Sequence, residues 1–509
     1  MKKLSRLSKV SLLLALLFTV DKALGVLRIM LVSRQFSLSG ALDAFNSANN
    51  IPDMLFMLIS GGALAIAFIP VLSEVLTEEG REKAWKLFST ILNLALIVTV
   101  VFAVVVAIFA KTLVSSQIGV APGFTPSQID LTANLMRLNL VATIIFSISG
   151  LVMSGLQTNQ HFFLPALAPI FYDLGQIFGV VILAPTTPYQ FGPVKLPAFG
   201  LGINGMVYGV ILGALLHLLI QVPGLLRYKF KWSPSLELKN PATRRVLKLM
   251  GPRVLSMFFI MMIFNIQDNL ASRLAEGSVT ALTYGWWLMQ IPETLVGTAI
   301  ATAVLPTLSE LFASKKFDLL AGKIEKAGRI MLALTVPIAV VAGVVLSPLV
   351  ERFFGFSAAD TQRVVDVSRV FMVGIIGHSL VELFVRSFYS VQKPLLPTFG
   401  AGMTMILFLV MGVALYQPLQ AVGIAAANTI AYAIQAGFLF FFLRKELLRP
   451  IVLWPTLLRG LAGGTLGGAI AFGILYFRPS FMFAILAFLI GIAASALFIR
   501  PDLKELSSL

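Results

Sequence analysis

The sequence Ile51-Pro52-Asp53-Met54-Leu55, which runs on to Ile69-Pro70-Val71-Leu72-Ser73-Glu74, has a second copy later in the chain. The second copy reads Ile291-Pro292-Glu293-Thr294-Leu295 and continues to Leu305-Pro306-Thr307-Leu308-Ser309-Glu310. Each copy opens an apolar helix with proline and an acid, and closes it with proline and Ser-Glu. A duplicated membrane bundle is typical of transporters, in which the binding site lies between the halves. We therefore interpret the chain as a duplicated transporter.

The composition of the 509-residue chain is that of a membrane protein. Hydrophobic residues make up 58% and charged residues 12%, and the mean hydropathy is +0.91, whereas soluble domains are about 25% charged. The absence of Cys and the presence of only 3 His argue against a thiol nucleophile, a disulfide or a metal site. We expect no cofactor, and we expect coupling to the membrane potential or to an ion.

About fourteen apolar runs have the roughly 20 residues that a membrane-spanning helix needs. They lie near 10–34, 43–72, 85–111, 129–156, 162–184, 200–226, 246–271, 279–308, 322–348, 364–391, 394–416, 420–443, 452–477 and 480–499. Most Lys and Arg residues fall in every second connection, which predicts that both termini are cytoplasmic. This distribution also explains the net charge of +16 without nucleic acid binding.

The most charged connection, residues 227–248, separates the first six spans from the next six. Because six is an even number, both halves enter the membrane from the same side, so the repeat is parallel. The matching stretches Gln160–Pro165 and Gln392–Pro397 support this repeat. The sequence predicts an all-α polytopic membrane protein with two parallel six-helix lobes, at 1–230 and 231–447, and two additional helices at 448–509.

Charged residues inside the first predicted span indicate a binding site. Asp21, Gly25 and Arg28 lie at i, i+4 and i+7 on one helix face, Lys22 is beside them, and the next span opens with Asp43. A charge at the bilayer centre costs about 2.5–3.5 kcal/mol, so chains retain it where it faces a cavity or a partner. We expect Lys22, Arg28 and Asp43 to bind substrate. The alternative is a buried ion pair, for example between Arg28 and Asp43, that only joins two helices.

Other intramembrane residues have structural interpretations. Glu382 and Arg386 are spaced i, i+4 and are predicted to pair locally. Trp286 and Trp287 are expected either to line a cavity or to belong to an aromatic belt. Snorkelling towards the bilayer surface accounts for three further cations, Arg137, Arg253 and Arg369.

The same stretches resemble the MurJ (MviN) family of the MATE-like exporter superfamily. The resemblance follows the chain in order through Lys22–Arg28, Asp43–Phe45, Ile51-Pro52, Gly62-Ala63, Phe68–Pro70, Ala121–Phe124, Phe162–Tyr172, Ala271–Ser278, Leu305–Ser309 and Arg386–Ser390. It implies a flippase, not an enzyme, that moves lipid II, the undecaprenyl-pyrophosphate-linked peptidoglycan precursor, across the inner membrane. It also implies fourteen helices, a lipid-tail groove formed by the last two, and other cell-wall synthesis proteins as partners.

The resemblance places the cavity cations of the family on Lys22, Arg28, Phe56 and Trp287. Phe56 and Trp287 are departures, because both positions are arginine in the typical family motif. The family glutamate before Gly62 is also replaced, here by Gly61. Of the four expected cavity cations, two therefore remain, and one of them is Lys, which holds a phosphate as a point charge and not as a fork.

The acid of the family's seventh helix aligns with Gln267, and Asp268 follows it directly. The eleventh span, 394–416, contains no acid, which is a departure from the family's sodium site in the second half. Besides the three expected substrate ligands, the residues expected to line the cavity are Asp21, Asn49, Asp53, Trp287 and Asp268.

The residues also leave other functions open. A flippase for another polyprenyl-linked glycan, or a cation-coupled small-molecule exporter, would use Asp21 and Asp43 as proton or cation sites. A polyprenyl-phosphate transferase would need clustered acids for a metal ion, and the loops show no such spacing. A scaffold for a cell-wall complex would tolerate neutral substitutions of the cavity charges.

Overall fold

A computed structural model describes residues 6–59, 62–447 and 450–505 of the chain, so Gly61 lies outside the described residues. The chain separates into two compact units, Met1–Asn269 and Leu270–Leu509. The division between the two units falls at 269/270 and follows the packing of the helices. The expected boundary at 230/231 follows the internal repeat, and the expected domain boundaries stay a prediction.

The first unit consists of apolar helices and one small hairpin. Its helices are α1 (Arg6–Phe36), α2 (Gly40–Ile59), α3 (Gly62–Glu78), α4 (Arg81–Ser115), α5 (Pro126–Thr158), α6 (Phe163–Phe178), α7 (Ile203–Leu219), α8 (Val222–Arg227) and α9 (Pro241–Ala271). A π-helical segment, Gly179–Leu183, extends α6. The hairpin pairs β1 (Gln190–Phe191) with β2 (Val194–Lys195) in antiparallel register.

The second unit is also helical. Its helices are α10 (Ser278–Glu293), α11 (Ala299–Ala313), α12 (Phe317–Phe354), α13 (Ala358–Ser390), α14 (Leu395–Leu447), α15 (Trp454–Phe477) and α16 (Phe481–Leu503). The π-helical segment Thr294–Thr298 joins α10 to α11 and begins two residues after Pro292. Proline removes a backbone donor from a helix, and such π segments are common where helices are adapted for function.

Within the described residues, eleven helical stretches are long and apolar enough to cross a membrane. One of them, α14, contains two helices that meet at Gln420, where φ is 53°. Together with α1 and the α2–α3 stretch, these helices account for the fourteen predicted spans. The prediction of an all-α polytopic membrane protein is confirmed.

Two backbone turns occur at matched places in the two halves. Gln160 and Gln392, in the short loops after α5 and α13, have φ values of 56° and 59°. In both loops the following amide donates to the carbonyl five residues earlier, at 2.9 Å. A second pair, Gly202 and Gln420, has φ values of 55° and 53° directly before α7 and before the second part of α14. The internal repeat read from the sequence is therefore present in the backbone turns of the two halves.

Arg137 in α5 and Arg369 in α13 show the same repeat in their side chains. The Nε of Arg137 donates to the carbonyl of Ala107 in α4 at 2.9 Å. The Nε of Arg369 donates to the carbonyl of Gly343 in α12 at 3.0 Å. Each arginine thus forms a hydrogen bond to the preceding helix, an interaction that the prediction of snorkelling did not include.

The segment between α8 and α9 is attached to the first unit. The Trp85 indole donates to the carbonyl of Tyr228 at 3.2 Å, and the Asn93 amide donates to the carbonyl of Ser233 at 2.8 Å. Lys86 also forms an ion pair with Glu237. These contacts explain why the connection after residue 230 packs with the helices that precede it.

Glycines bring α6 very close to α7. A Cβ on Gly175 would overlap the backbone of Gly213, and one on Gly179 would overlap the backbone of Gly209. Close approach of this kind is typical of membrane helices, where small residues let backbones touch. The contact fixes α6, and with it the acidic residue Asp173, against the rest of the first unit.

Candidate functional site

The charged face of α1 lies against α6. The guanidinium of Arg28 and the carboxylate of Asp173 are 3.4 Å apart, and the two side chains are 25% and 9% exposed. Gly25, one turn before Arg28, lies against the same carboxylate. The residues at i, i+4 and i+7 of α1 thus share one face, as their spacing predicts.

The alternative prediction of an ion pair between Arg28 and Asp43 is therefore wrong. Arg28 pairs with Asp173 because α1 packs along α6. Asp43 belongs to α2 and is buried with 2% of its surface exposed. Asp173 is not among the residues predicted for the site, because nothing in the sequence around it indicates that α6 lies against α1.

Lys22 differs from Arg28 in its surroundings. Its side chain is 83% exposed, and its ammonium lies 3.5 Å from the carboxylate of Asp21, which is 15% exposed. Asp21 and Lys22 both lie within electrostatic range of Asp173. Two acids and two bases thus form one group at α1 and α6, which we call the α1–α6 charge cluster: Asp21, Lys22, Arg28 and Asp173. When all four are ionised, its net charge is zero.

A second polar group joins α2 to α9. The Ser47 hydroxyl donates to the Asp268 carboxylate at 2.9 Å, and the Asn50 amide donates to the same oxygen at 2.7 Å. Asp43 stands one turn before Ser47 on this face and is within electrostatic range of Asp268. Asp268 is only 4% exposed, and Gln267 beside it is also buried. Two predicted site residues, Asp43 and Asp268, therefore occur in one buried group.

The remaining predicted residues of α2 have separate partners. Asn49 accepts a hydrogen bond of 2.6 Å from the amide of Asn139 in α5. Asp53 is exposed, one turn further along the helix, and lies within electrostatic range of Tyr172. Asp53 thus lies near α6 at Tyr172, the residue before Asp173.

Phe56 occupies a position at which the family resemblance implies arginine. Its ring packs against Phe146 with centroids 5.7 Å apart, and Phe146 also contacts Tyr172 at 4.9 Å and His217 at 5.3 Å. An aromatic contact therefore replaces a cation at this position. Tyr172, which belongs to this aromatic group, directly precedes Asp173 in the sequence.

A buried polar group that the sequence did not predict joins α5, α7 and Gln221, the residue before α8. The Oγ of Ser149 lies 2.6 Å from Nδ1 of His217, and the Gln221 amide donates to the same hydroxyl at 2.8 Å. All three side chains are buried. The available signal was His217 itself, a histidine inside an otherwise apolar run.

The second unit contains its own aromatic and charged groups. Trp287 packs against Phe354 with centroids 6.4 Å apart, so this departure from arginine is also an aromatic contact. Trp286 lies 5.1 Å from His378, whose ring stacks on Tyr432 at 3.6 Å. Trp286 is thus a packing residue within the unit and not an isolated belt residue.

Glu382 and Arg386 form the local ion pair that their spacing predicts. Arg386 is also within electrostatic range of Glu293, whose carboxylate accepts a hydrogen bond of 3.2 Å from Thr298 in the adjoining π segment. The second copy of the duplicated motif therefore places its acid beside a helix irregularity and a cation. Across the described residues, no group of three or more His, Cys, Asp or Glu side chains is suited to hold a metal ion.

A family model described as "Lipid II flippase MurJ" matches residues 32–494. The chain belongs to the MurJ family. This is a family of lipid II flippases, which are transporters and not enzymes. The membrane-spanning helices agree with this assignment, because a flippase is a multi-pass membrane protein. The matched segment begins just after the charged part of α1, so Lys22 and Arg28 precede it.

Curated MurJ relatives cover most of the chain. The lipid II flippase MurJ of Burkholderia cenocepacia is 28% identical over 383 residues, which is 73% of this chain and 71% of the relative. The probable lipid II flippase MurJ of Vibrio cholerae is 24% identical over 482 residues, covering 91% of this chain and 89% of the relative.

Solved structures share the MurJ fold. A lipid II flippase MurJ in an inward closed conformation superposes with a TM-score of 0.77 at 19% identity, over 97% of this chain and 99% of the other. An inward-facing multidrug resistance MATE family transporter of the MOP superfamily gives a TM-score of 0.68 at 14% identity, over 84% and 94% of the two chains. Both comparisons bear on the fold alone.

Proposed function

We propose that this chain moves lipid II, or a closely similar polyprenyl-pyrophosphate-linked precursor, across the inner membrane by alternating access. The match of the MurJ family model over residues 32–494 is the observation that carries this proposal. The charges on α1 support it, because moving a pyrophosphate through hydrocarbon unaided would require the removal of its hydration shell.

The α1–α6 charge cluster is the proposed pyrophosphate site. Lys22 is largely exposed and offers its ammonium directly. Arg28 is held by Asp173, so a phosphate must compete with that carboxylate for the guanidinium. A pyrophosphate carries more negative charge than one carboxylate and can accept two parallel hydrogen bonds from arginine, whereas Arg28 and Asp173 are 3.4 Å apart, and this difference favours the exchange of partners. Asp173 thus acts as a placeholder that keeps Arg28 oriented while the site is empty.

The buried group at α2 and α9 has a different proposed role. Asp43 lies within electrostatic range of Asp268, and Asp268 accepts hydrogen bonds from Ser47 and Asn50. Such a pair does not favour binding of an anion, so Asp43 is proposed to position α2 and not to contact the pyrophosphate. Exposed Asp53 and half-buried Asn49 are the α2 residues proposed to meet the polar head group.

We propose that the cycle uses no cofactor and is driven by the membrane potential or by an ion. Both termini are proposed to be cytoplasmic, since most basic residues then lie in cytoplasmic connections. The helices marked by paired prolines are proposed to bend during the cycle. Other cell-wall synthesis proteins remain proposed partners, and α15 and α16 are proposed to receive the lipid tail on their exposed faces.

Complementation of a flippase-depleted bacterial strain tests the proposed site. We expect Arg28→Ala and Lys22→Ala each to reduce growth strongly, and Lys22→Arg to retain it, because arginine keeps the positive charge. Lys111→Ala is the matched control, since it removes an exposed cation that pairs with Asp130 away from the cluster. Membrane levels are compared by immunoblotting. Normal growth with Arg28→Ala and Lys22→Ala combined, at equal protein levels, would refute the site.

A transport assay in vesicles tests the substrate. Fluorescent lipid II is expected to be moved by the unmodified chain and not by Arg28→Ala, whereas typical MATE drugs are expected not to compete. Movement of the drugs without movement of lipid II would refute the proposed function and favour a small-molecule exporter.

A further inference from the structure

The second unit contains an apolar groove of about 660 Å³ between α13 and α14, closed by α12 and the start of α15. Its walls carry almost no polar atoms. Val373 and Phe384 mark its extent along α13, and Thr429 and Phe440 lie on the facing surface of α14. Ile451 to Leu453, the connection into α15, covers one end.

One end of this groove carries a cation. Arg444 lines the groove after one further turn of α14, its side chain is exposed, and its guanidinium lies 5.6 Å from the centroid of the Phe440 ring. Among the described residues, Arg444 has neither an ion pair nor a hydrogen bond from its side chain. Trp454, which is 63% exposed, lies at the same end. Tryptophan is enriched at the headgroup level of membranes, so this end corresponds to the membrane surface.

The length of the groove matches one leaflet of a bilayer. Eleven residues separate Val373 from Phe384, and a helix rises about 1.5 Å per residue, so the α13 wall is roughly 16 Å long. Thr429 and Arg444 are fifteen residues apart, which gives about 22 Å on α14. The hydrocarbon core of a bilayer is about 30 Å thick, so one leaflet is about 15 Å.

We propose that this groove binds one acyl chain of an anionic glycerophospholipid, with the phosphate of the lipid held by Arg444. The apolar walls suit the chain, and the exposed guanidinium of Arg444 at the interface complements the phosphate. A polyprenyl tail is much longer than one leaflet and would fill the groove with only a part of its length. The proposal does not depend on the proposed transport function, since it concerns a membrane lipid and not the transported one.

The lipid has a structural consequence for the appended helices. The groove borders the connection from α14 to α15, and the Nε of Arg329 in α12 donates to the carbonyl of Val452 in that connection at 3.1 Å. A bound acyl chain would cover the apolar side of the same connection. The lipid therefore anchors the start of α15 to α13 and α14.

Gly437 allows the groove to be blocked without disturbing the fold. A Cβ at this helical position would meet no atom within 4 Å, so a larger side chain would enter the groove freely. Gly437→Leu is therefore expected to fill it. Gly473 in α15 is equally open and lies outside the groove, so Gly473→Leu is the matched control. The contribution of the positive charge is tested with Arg444→Gln. Its matched control is Arg227→Gln, because Arg227 ends the sixth span of the first half, and Arg444 ends the sixth span of the second half.

Native mass spectrometry of the purified, delipidated full-length protein measures binding of phosphatidylglycerol and, separately, of undecaprenyl phosphate. We expect Arg444→Gln to weaken phosphatidylglycerol binding about five-fold, as for the loss of one basic residue at a membrane surface. We expect Gly437→Leu to weaken it at least about ten-fold, because several methylene groups lose their site. The two control variants should bind as the unmodified protein does.

Unchanged phosphatidylglycerol binding in Gly437→Leu, with the protein still monodisperse, would overturn the proposal. Selective loss of undecaprenyl phosphate binding in Gly437→Leu, with phosphatidylglycerol binding retained, would also overturn it and assign the groove to a polyprenyl chain. Loss of phosphatidylglycerol binding in both groove variants and in neither control would support it.

Discussion

Replacement of Arg28 by methionine would leave the Asp173 carboxylate mostly buried and without its cation. At the observed separation of 3.4 Å, the Coulomb attraction is about 5 kcal/mol in an effective dielectric of about 20. A quarter of the Arg28 side chain is exposed, so solvent screening reduces this value. We expect Arg28→Met to lower the free energy of unfolding by about 2–3 kcal/mol, because an unpaired buried charge is strongly unfavourable.

The combined variant Arg28→Met with Asp173→Leu is expected to recover most of that loss. Apolar residues of similar volume often replace a buried ion pair at no cost in stability. The assay is reversible unfolding of the purified protein in detergent micelles, followed by intrinsic fluorescence. As a control, the same cycle on the exposed pair Lys111 and Asp130 should give a coupling below about 1 kcal/mol.

The two roles of Arg28 separate in this experiment. If the arginine binds substrate, the combined variant will be stable and yet will not support growth of a flippase-depleted strain. If Arg28→Met is as stable as the unmodified protein, the reasoning about the buried pair is wrong. If the stable combined variant supports normal growth, the pair is only structural.

Three further predictions concern other parts of the first unit. Gly175→Val should destabilise the protein by at least about 1–3 kcal/mol in the same unfolding assay, because the new side chain would overlap the Gly213 backbone. Ser149→Ala should cost about 1–3 kcal/mol by leaving His217 without its buried hydroxyl partner, and Ser149→Thr should cost less. His161 lies in the loop before α6, and burial lowers the pKa of its imidazole below 6.5, so the folded state favours the neutral ring. Stability should therefore be complete above pH 6.5 and fall as the pH drops through the folded pKa, and His161→Gln should reduce this dependence in thermal unfolding measured from pH 5 to pH 8.

The helical architecture could be predicted because its causes are local. Apolar runs of membrane length, the loop charges and the matched stretches at Gln160 and Gln392 all indicate the duplicated bundle directly. The backbone then shows the same positive φ at both glutamines. The repeat predicted from these matched stretches is thus also found in the backbone conformation.

The partners of the charged residues could not be predicted in the same way. Helix periodicity gives the face of α1 that carries Arg28, but not which helix lies against that face. The close contact of α6 with α7 positions Asp173, and this contact depends on glycines whose role is visible only when both backbones are known. Similarly, the pairing of Asp268 with Ser47 joins residues 221 positions apart.

The neutrality of the α1–α6 charge cluster has an electrical consequence for the proposed cycle. An empty site with two acids and two bases carries no net charge across the membrane, so its return should be insensitive to voltage. A site loaded with pyrophosphate carries the negative charge of the substrate, and each charge that crosses is worth about 2.3 kcal/mol per 100 mV. With the cell interior negative, outward movement of the loaded form is driven and its reversal is opposed. The neutrality of the cluster would thus confine the voltage-sensitive step to the loaded half of the cycle, in which the membrane potential favours outward movement.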